Sequence, residues 1–183
     1  MAVTVDVVIA SYNHGAFIEA AVESVLANDV PLHLWIVDDG SSDNSQNILK
    51  AIDDPRVTVS FNDRNIGAAE TFNRGFSMGT APFVAICNSD DLWAPDKLSR
   101  QLNVIGGPNV EKVAFSLAKF IGPDGGTVPE ELNSYNPSIF ICPQDWDRHD
   151  WLRQLLLRRN RICTPSFLGP RAVLDKSGLY NNA

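Results

Sequence analysis

The strongest constraint on the fold is a regular alternation of apolar, strand-like runs with segments whose apolar residues recur at helical spacing. Four strand-like runs are short and rich in β-branched residues: Val3–Ala10, Leu32–Val37, Val57–Phe61 and Pro82–Cys87. Such runs, separated by helices, are typical of buried strands in a sheet that is covered on both faces. The order therefore predicts an α/β fold, with an open, mainly parallel sheet and helices on both faces.

The segments between these runs are predicted as amphipathic helices. Two of them cover Ala16–Ala27 and Ala68–Met78, and another follows Asp43. We expect Asp43 to cap that helix, with Gln46 as its partner in a capping box. Pro95 fits the first turn of a further helix.

The periodic pattern weakens after residue 105. Val113–Ile121 is predicted as a strand, and Asp147–Arg159 as a helix that buries Leu152, Leu155 and Leu156. No apolar run approaches the roughly 18 residues that a membrane span requires.

Composition excludes several classes of function. The formal net charge of −7 argues against nucleic-acid binding, which needs a basic face. Cys87, Cys142 and Cys163 show no metal-ligand spacing. The histidines are scattered and are assigned to no metal: His14, His33 and His149. Without a signal-peptide pattern the expected location is cytoplasmic. The basic excess in residues 141–183 fits either a solvated helix end or a surface that faces a phosphate or a membrane.

Two acidic clusters stand where strand-like runs end. Asp38 and Asp39 follow the second run, and Asn88–Asp91 follows the fourth. The carboxyl ends of parallel strands meet at the edge where open α/β sheets bind ligands. Carboxylate oxygens there suit Mg²⁺ or Mn²⁺ and the hydroxyls of a sugar or nucleotide. The clusters therefore predict nucleotide-sugar chemistry.

Each cluster has an alternative, purely structural interpretation. Asp38 or Asp39 could accept hydrogen bonds from uracil or ribose, or could only turn the chain and cap the next helix. Asn88–Asp91 could hold the metal, or could form an Asx turn, which fits Asp91 better than Asp90. The loop Ser11–Gly15 could receive a phosphate at a helix N-terminus, or could only cap that helix.

In this order, the segments resemble the family 2 glycosyltransferases, which have the GT-A fold, a Rossmann-like open twisted sheet. The resemblance covers about residues 3–105 and is looser beyond. The segments that carry it are Ser11-Tyr12-Asn13, Val37-Asp38-Asp39-Gly40-Ser41-Ser42-Asp43, Asn65-Ile66-Gly67 with Asn73 and Gly75, Asn88-Ser89-Asp90-Asp91 and Pro95-Asp96-Lys97-Leu98. The resemblance implies inverting sugar transfer from a nucleotide donor, usually with Mg²⁺ or Mn²⁺.

The resemblance also implies roles for individual residues. Asp39 matches the position that contacts the base, and Asp90 matches the last carboxylate of the D-x-D motif, the usual metal ligand. The first Asp of that motif is Asn88 here, which brings no charge. The residues expected to bind the nucleotide sugar are Ser11, Tyr12, Asp38, Asp39, Asn88 and Ser89, with Asp90 at the metal. A UDP-sugar is the favoured donor, and the acceptor stays open between a saccharide, a lipid-linked group and a protein.

The catalytic base of the family is an acidic residue shortly after a Gly-aromatic segment. Gly178-Leu179-Tyr180-Asn181-Asn182 resembles that segment, and the sequence stops at Ala183, so no base is assigned. We expect a fragment of a longer protein: one GT-A-like domain over 1–183, with a donor-binding half at 1–105 and a partial acceptor-side half at 106–183. The expected location is the cytoplasm, including the membrane periphery.

Two other functions remain open from the sequence. One is a non-catalytic module that binds a nucleotide sugar, favoured by the unassigned base. The other is a nucleotidyltransferase, which predicts a Gly-rich, cationic phosphate loop after the first strand. Residues 11–16 contain only Gly15 and no cation, so this alternative ranks lower.

Overall fold

The sheet has five strands, and four of them are the apolar runs that the sequence predicts. The computed structural model describes residues 4–122, 125–126, 128, 146–157 and 162–180. The strands are β1 (Val5–Ser11), β2 (Leu32–Asp38), β3 (Val57–Phe61), β4 (Phe83–Asn88) and β5 (Leu168–Pro170). Their spatial order is β3-β2-β1-β4-β5, with β1 to β4 parallel and β5 antiparallel to β4. The predicted mainly parallel sheet is confirmed.

Helices cover both faces of this sheet, as predicted. They are α1 (Ile18–Leu26), α2 (Ser45–Lys50), α3 (Ala68–Met78), α4 (Lys97–Ile105), α5 (Arg148–Leu157) and α6 (Arg171–Ser177), with a 3-10 turn at Thr164–Ser166. On one face Val7 and Ile9 pack in a cluster with apolar residues of α1, α2 and α4. On the other face Val8 packs against Phe72 and Phe76 of α3. Because β1 is buried on both sides, its sequence is a continuous apolar run.

The register aligns three strand ends at one edge of the sheet. Ser11 at the end of β1 pairs with Asp38 at the end of β2. Ala10 pairs with Asn88 at the end of β4 on the opposite side. The loops that carry the two acidic clusters therefore leave the sheet on either side of the loop that follows β1.

Beyond α4, the predicted helix forms as α5, but the predicted strand at 113–121 and the predicted burial of the leucines in α5 are wrong. Within Val113–Ile121 the structure has a bridge from Ala114 to Leu168 rather than a continuous strand. In α5 the leucines predicted to be buried are 43–78% exposed, whereas Gln154 is buried. Spacing identifies an amphipathic face, but tertiary contacts decide whether that face is covered. Cys142, Arg159 and the terminal residues 181–183 lie outside the described residues.

The predicted capping box is also wrong. Asp43 accepts a hydrogen bond from the N–H of Ser45 at 2.9 Å, at the start of α2. Gln46 does not hydrogen-bond back as a capping box requires: its amide donates to Asp38 at 3.1 Å and to the Ser41 carbonyl at 3.2 Å.

Among the helices of the described ranges, none is long and apolar enough to cross a membrane.

Candidate functional site

A pocket of about 400 Å³ opens at the aligned strand ends. Its walls come from the loops after β1, β2 and β4 and from the first turns of α3. Six of the seven predicted site residues line it: Ser11, Tyr12, Asp39, Asn88, Ser89 and Asp90. The structure thus brings together residues that are up to 79 positions apart in the sequence, as Ser11 and Asp90 are.

Asp38 is the exception, because it does not line this pocket. Its side chain is fully buried and does not line the pocket. Both carboxylate oxygens accept hydrogen bonds within the loop, from the N–H and hydroxyl of Ser41 at 2.9 and 2.6 Å and from Gln46 at 3.1 Å. Asp38 therefore shapes the loop after β2.

Asp39 lines the pocket and is held rigidly in it. Its carboxylate accepts hydrogen bonds from the amide of Asn62 at 2.8 Å and from the N–H groups of Ile66 and Gly67, both at 2.9 Å. Burial alone would raise the pKa of Asp39, but these hydrogen bonds outweigh it and lower the pKa below its ordinary value. The pocket therefore has a fixed anionic group, and the segment up to Gly67 is tied to the end of β2.

The loop after β1 is fastened to the loop after β2 and does not cap α1. Asn13 has a left-handed backbone with φ of 55°. Its side chain accepts the N–H of Ser42 at 2.8 Å, and its own N–H donates to the Ser41 hydroxyl at 2.8 Å. Helix α1 begins only at Ile18, without a side-chain cap, so the capping alternative for this loop is wrong.

Ser11 presents an unusual buried hydroxyl in this pocket. The residue is 1% exposed, and its Oγ has no hydrogen-bond partner within the described part of the chain. A buried hydroxyl without a partner costs free energy, about 1–3 kcal/mol. A ligand with a polar group at this position would remove that cost.

The acidic cluster after β4 divides into two carboxylates with different surroundings. The Asn88 amide donates to Asp91 at 2.8 Å, and the Asp91 N–H donates to the Asn88 carbonyl at 3.3 Å. Burial raises the pKa of Asp91, and repulsion from Asp90 raises it further, while the Asn88 hydrogen bond opposes both. Asp91 therefore closes a backbone turn with Asn88, and its carboxylate accepts the Asn88 side-chain amide rather than the backbone N–H of an Asx turn. Asp90 lines the pocket with its side chain 47% exposed.

Sequence reasoning missed His14, which the structure places between the first loop and the acidic cluster. Its Nδ1 lies 2.6 Å from the Ser89 hydroxyl, and its Nε2 lies 4.0 Å from Asp90 Oδ2. The sequence indicated no role for His14, because the spacing of residues along the chain does not show that residues 14 and 89 meet. The pairing of β1 with β4 is the signal that would have found it.

The sequence model of the family described as "Glycosyl transferase family 2" matches residues 6–165, which include the four parallel strands except Val5, and the pocket. The chain belongs to this glycosyltransferase family. The sheet and its helices are accordingly those of the GT-A fold, as the sequence predicts.

Named relatives agree with this assignment. An uncharacterized glycosyltransferase, alr2836 of Nostoc sp. (strain PCC 7120), is 33% identical over 94% of the chain and 52% of its own length. The glucosyltransferase WfgD of Escherichia coli, named for UDP-Glc and α-D-GlcNAc-diphosphoundecaprenol, is 31% identical over 97% of the chain and 80% of its own length. The chain spans about half the length, or less, of alr2836 and of several other curated relatives that it matches.

Solved structures show the same fold. Residues 1–349 of S. aureus TarS in complex with UDP match 95% of the chain and 48% of their own length, with a TM-score of 0.64 and 21% identity. Mannosyltransferase PcManGT from Pyrobaculum calidifontis, in complex with GDP-Man and Mn²⁺, matches 58% of the chain and 33% of its own, with a TM-score of 0.54 and 26% identity.

The pocket of this family 2 chain suits a divalent cation only when a bound ligand supplies the rest of the coordination shell. No group of three His, Cys, Asp or Glu side chains among the described residues converges on one point. Asp90 supplies a half-exposed carboxylate, and Ser11 supplies a hydroxyl that lacks a partner. Mg²⁺ sites commonly use one or two protein carboxylates and complete their shell with phosphate oxygens and water. The side chains that line this pocket would likewise supply only part of the coordination shell of a cation.

The segment Gly178–Tyr180, which resembles the one before the family's catalytic base, lies beside α3. The Tyr180 ring is 5.9 Å from the ring of Phe72, which also lines the pocket. A second, apolar cavity of about 300 Å³ lies on the other side of Tyr180, lined by residues that include Phe167 and Leu174. Asn181 and Asn182 lie outside the described residues.

Proposed function

We propose that the chain binds a UDP-sugar and a divalent cation, Mg²⁺ or Mn²⁺, and transfers the sugar to an acceptor with inversion. Residues 1–105 form the donor-binding half, and residues 106–183 belong to the acceptor side. The observation that carries this proposal is the convergence of Asp39, Ser11 and Asp90 on one pocket at the carboxyl edge of the sheet. That edge is the ligand-binding position of open α/β sheets.

Asp39 is the residue proposed to recognise the nucleoside. Hydrogen bonds from Asn62 and Ile66 reach Oδ1 of Asp39, one from Gly67 reaches Oδ2, and the Thr71 hydroxyl also hydrogen-bonds the carboxylate. The Asp39 carboxylate lines the pocket in this fixed orientation, as an acceptor for an imide N–H of uracil or a hydroxyl of ribose. Because the surrounding donors fix the carboxylate in its anionic form, no reorganisation is needed when a ligand binds.

Asp90 is the residue proposed to hold the cation, with Asn88, Ser89, Ser11 and Tyr12 around the donor. A bound cation would supply positive charge to the nucleoside diphosphate that departs during transfer. Asn88 contributes no charge, and its amide is used to hold Asp91 in the turn. The Ser11 hydroxyl can donate a hydrogen bond to the nucleotide sugar or accept one from it.

The names and ligands of related proteins support the choice of donor and acceptor class. TarS has been solved with UDP and with UDP-GlcNAc, and PcManGT with GDP-Man. WfaP and WfgD of Escherichia coli are named as glucosyltransferases that use UDP-Glc and a diphosphoundecaprenol acceptor. We therefore take UDP-sugars as the first donors to test and lipid-linked saccharides as the first acceptors. Such acceptors would bring the protein to a membrane surface.

The segment Gly178–Tyr180, which resembles the one before the family's catalytic base, is proposed to mark the acceptor side of the pocket. The Tyr180 backbone is bound to Asn73 of α3, and its ring packs near Phe72 in the pocket wall. Tyr180 is therefore held beside the place where an acceptor would meet the donor, and no described residue is assigned as the base. A general base has to reach the acceptor hydroxyl within hydrogen-bond distance in the productive complex.

Calorimetric titration with UDP and GDP, with and without Mn²⁺, tests the donor site. We expect UDP to bind, Mn²⁺ to raise its affinity, and Asp90→Asn to abolish the gain from Mn²⁺. Asp53→Asn, an exposed carboxylate elsewhere on the surface, is the matched control and should behave as wild type. Equal Mn²⁺-dependent affinities for wild type and Asp90→Asn would remove Asp90 from the cation site.

A second measurement separates transfer from mere binding. Release of UDP from UDP-glucose or UDP-GlcNAc, followed in the presence of Mn²⁺, would exclude the non-catalytic binding module. Tight UDP binding by the intact protein without any turnover towards lipid-linked acceptors would instead favour that module.

A further inference from the structure

We propose that His14 is a second protein ligand of the cation, bound through Nε2 beside Asp90, and that the site consequently selects Mn²⁺ over Mg²⁺. This inference rests on the proposed function, because the cation is that of the nucleotide-sugar site. It assigns a role to a residue that the sequence pattern left without one.

The first observation is the anchoring of the imidazole ring. Nδ1 lies 2.6 Å from the hydroxyl of Ser89, which is 2% exposed. When Nδ1–H donates to this oxygen, the neutral ring has its lone pair on Nε2. Histidines that bind metals characteristically donate their other ring N–H to a neighbouring acceptor, which fixes the tautomer and the orientation of the ring. Ser89 is placed to act in this way for His14.

The second observation is the spacing between the two ligand atoms. Nε2 of His14 lies 4.0 Å from Oδ2 of Asp90, beyond hydrogen-bond distance. Two metal–ligand bonds of about 2.1 Å each can span such a gap when one ion lies between the atoms. Both side chains line the same pocket and are about 40% exposed, so an ion can reach them.

The third observation is that few other side chains in this part of the pocket can bind a cation. Asn88 brings no charge, and Asp91 is held in the turn by the Asn88 amide. That leaves Asp90 as the pocket's carboxylate near this loop, and His14 supplies a second ligand. Ser11, with its buried and unpartnered hydroxyl, lines the same pocket and independently points to a ligand there.

Two protein ligands do not complete a coordination shell. We therefore expect weak Mn²⁺ binding by the protein alone and strong binding when UDP supplies diphosphate oxygens. The mixed nitrogen and oxygen set also determines the selectivity. Mg²⁺ takes oxygen ligands almost exclusively, whereas transition-metal ions accept imidazole nitrogen.

Pulsed EPR of the Mn²⁺–UDP complex tests the Mn–N bond directly. We expect nitrogen modulation from a coordinated imidazole in wild type, and its replacement by the ¹⁵N pattern when the protein is labelled with ¹⁵N-histidine. The signal should disappear in His14→Gln and persist in His33→Gln. His33 is the matched control because its Nε2 bonds the Thr58 hydroxyl on β3. The isotope experiment on wild type does not depend on how well any variant folds.

Calorimetry supplies the second readout. His14→Gln should lower the Mn²⁺-dependent gain in UDP affinity by about tenfold and bring the affinities measured with Mn²⁺ and Mg²⁺ closer together. Ser89→Ala should lower the same gain by a smaller factor, because it removes the anchor and keeps the ligand.

Several results would overturn the proposal. A Mn²⁺–UDP complex without histidine nitrogen modulation would remove His14 from the metal and leave the proposed function intact. An equal loss of UDP affinity with and without Mn²⁺ in His14→Gln would show that the ring contacts the diphosphate itself. Failure of wild type to bind UDP at all would overturn the proposed function together with this inference.

Discussion

The side-chain amide of Asn73 forms two hydrogen bonds with the backbone of Tyr180. Nδ2 donates to the Tyr180 carbonyl at 2.8 Å, and Oδ1 accepts the Tyr180 N–H at 2.9 Å. The Tyr180 ring also contacts the rings of Phe72 and Phe76 on the same helix. Helix α3 therefore fixes the end of the described chain against the wall of the pocket at the strand ends.

Asn73→Asp should loosen this attachment. The carboxylate keeps the acceptor for the Tyr180 N–H but loses the donor and faces the Tyr180 carbonyl. We expect a loss of about 1 kcal/mol in the free energy of unfolding and faster hydrogen exchange of the amides around Tyr180. Asn47→Asp is the control, because the Asn47 amide in α2 donates to the side chain of Asn44 just before that helix, far from Tyr180 in the sequence. Equal exchange near Tyr180 in both variants would contradict the attachment.

Asp39→Asn should change the pH dependence of stability. The hydrogen bonds that surround Asp39 hold its folded-state pKa below the ordinary value of 3.8 despite burial. The stabilisation from Asp39 is therefore fully present above pH 3.8 and is lost as the pH falls through the lower folded-state pKa. We expect Asp39→Asn to cost about 2 kcal/mol at pH 7, because hydrogen bonds to a charged group are lost.

Urea unfolding between pH 7 and pH 3 measures this effect. The difference in unfolding free energy between wild type and Asp39→Asn should shrink as the pH falls below 3.8. Asp53→Asn should give a curve parallel to that of wild type. A constant difference between wild type and Asp39→Asn at all pH values would show that the carboxylate charge contributes nothing to stability.

Arg171→Met should be strongly destabilising, because it leaves Asp6 charged and buried. The two side chains form an ion pair of 2.7 Å, and Asp6 is almost fully buried near the start of β1. Arg171 also donates to the carbonyls of Phe76 and Ala81, and so ties the end of β5 to the loop before β4. We expect a loss of about 3 kcal/mol.

A double-mutant cycle with Asp6→Asn checks the origin of that loss. The double variant should be more stable than the sum of the single losses predicts, with a coupling of about 1–3 kcal/mol. The exposed pair of Lys176 and Glu111 is the control, and its removal should produce no measurable change. Additive losses in the cycle would mean that Arg171 acts through its carbonyl contacts alone.

Gly75→Ala should destabilise the fold, against the usual effect of this change in a helix. Alanine in a helix interior is favoured over glycine by about 1 kcal/mol. A Cβ at residue 75, however, would overlap the Val8 side chain, because α3 lies directly on β1 at this point. We expect a net loss of about 1–3 kcal/mol from overpacking.

The same substitution in a Val8→Ala background tests the cause. Truncation of Val8 makes room for the added methyl group, so Gly75→Ala should there stabilise the protein by roughly 0.5–1 kcal/mol. Thermal and urea unfolding of the four proteins measure the reversal of sign. A loss in both backgrounds would place the clash elsewhere.

Local sequence patterns were sufficient for the four parallel strands and for the edge that carries the site, but not for the antiparallel β5. Residues that alternate within a buried strand, such as Val7 and Val8 on opposite faces of β1, produce the apolar run that identifies the strand. Parallel strands then place their carboxyl ends at one edge, so the loops with Asp39 and Asp90 could be expected at one site. This much depends on periodicity and topology, which local sequence patterns encode.

The contacts of each side chain at that edge, by contrast, depend on the tertiary structure. Asp38 and Asp39 are adjacent and chemically identical. The Asp38 carboxylate accepts hydrogen bonds from Ser41 and Gln46 inside the loop, whereas backbone amides hold the Asp39 carboxylate in the pocket. His14 meets Ser89 across 75 positions because β1 pairs with β4. These contacts depend on loop conformation and on register between distant strands, and local spacing encodes neither.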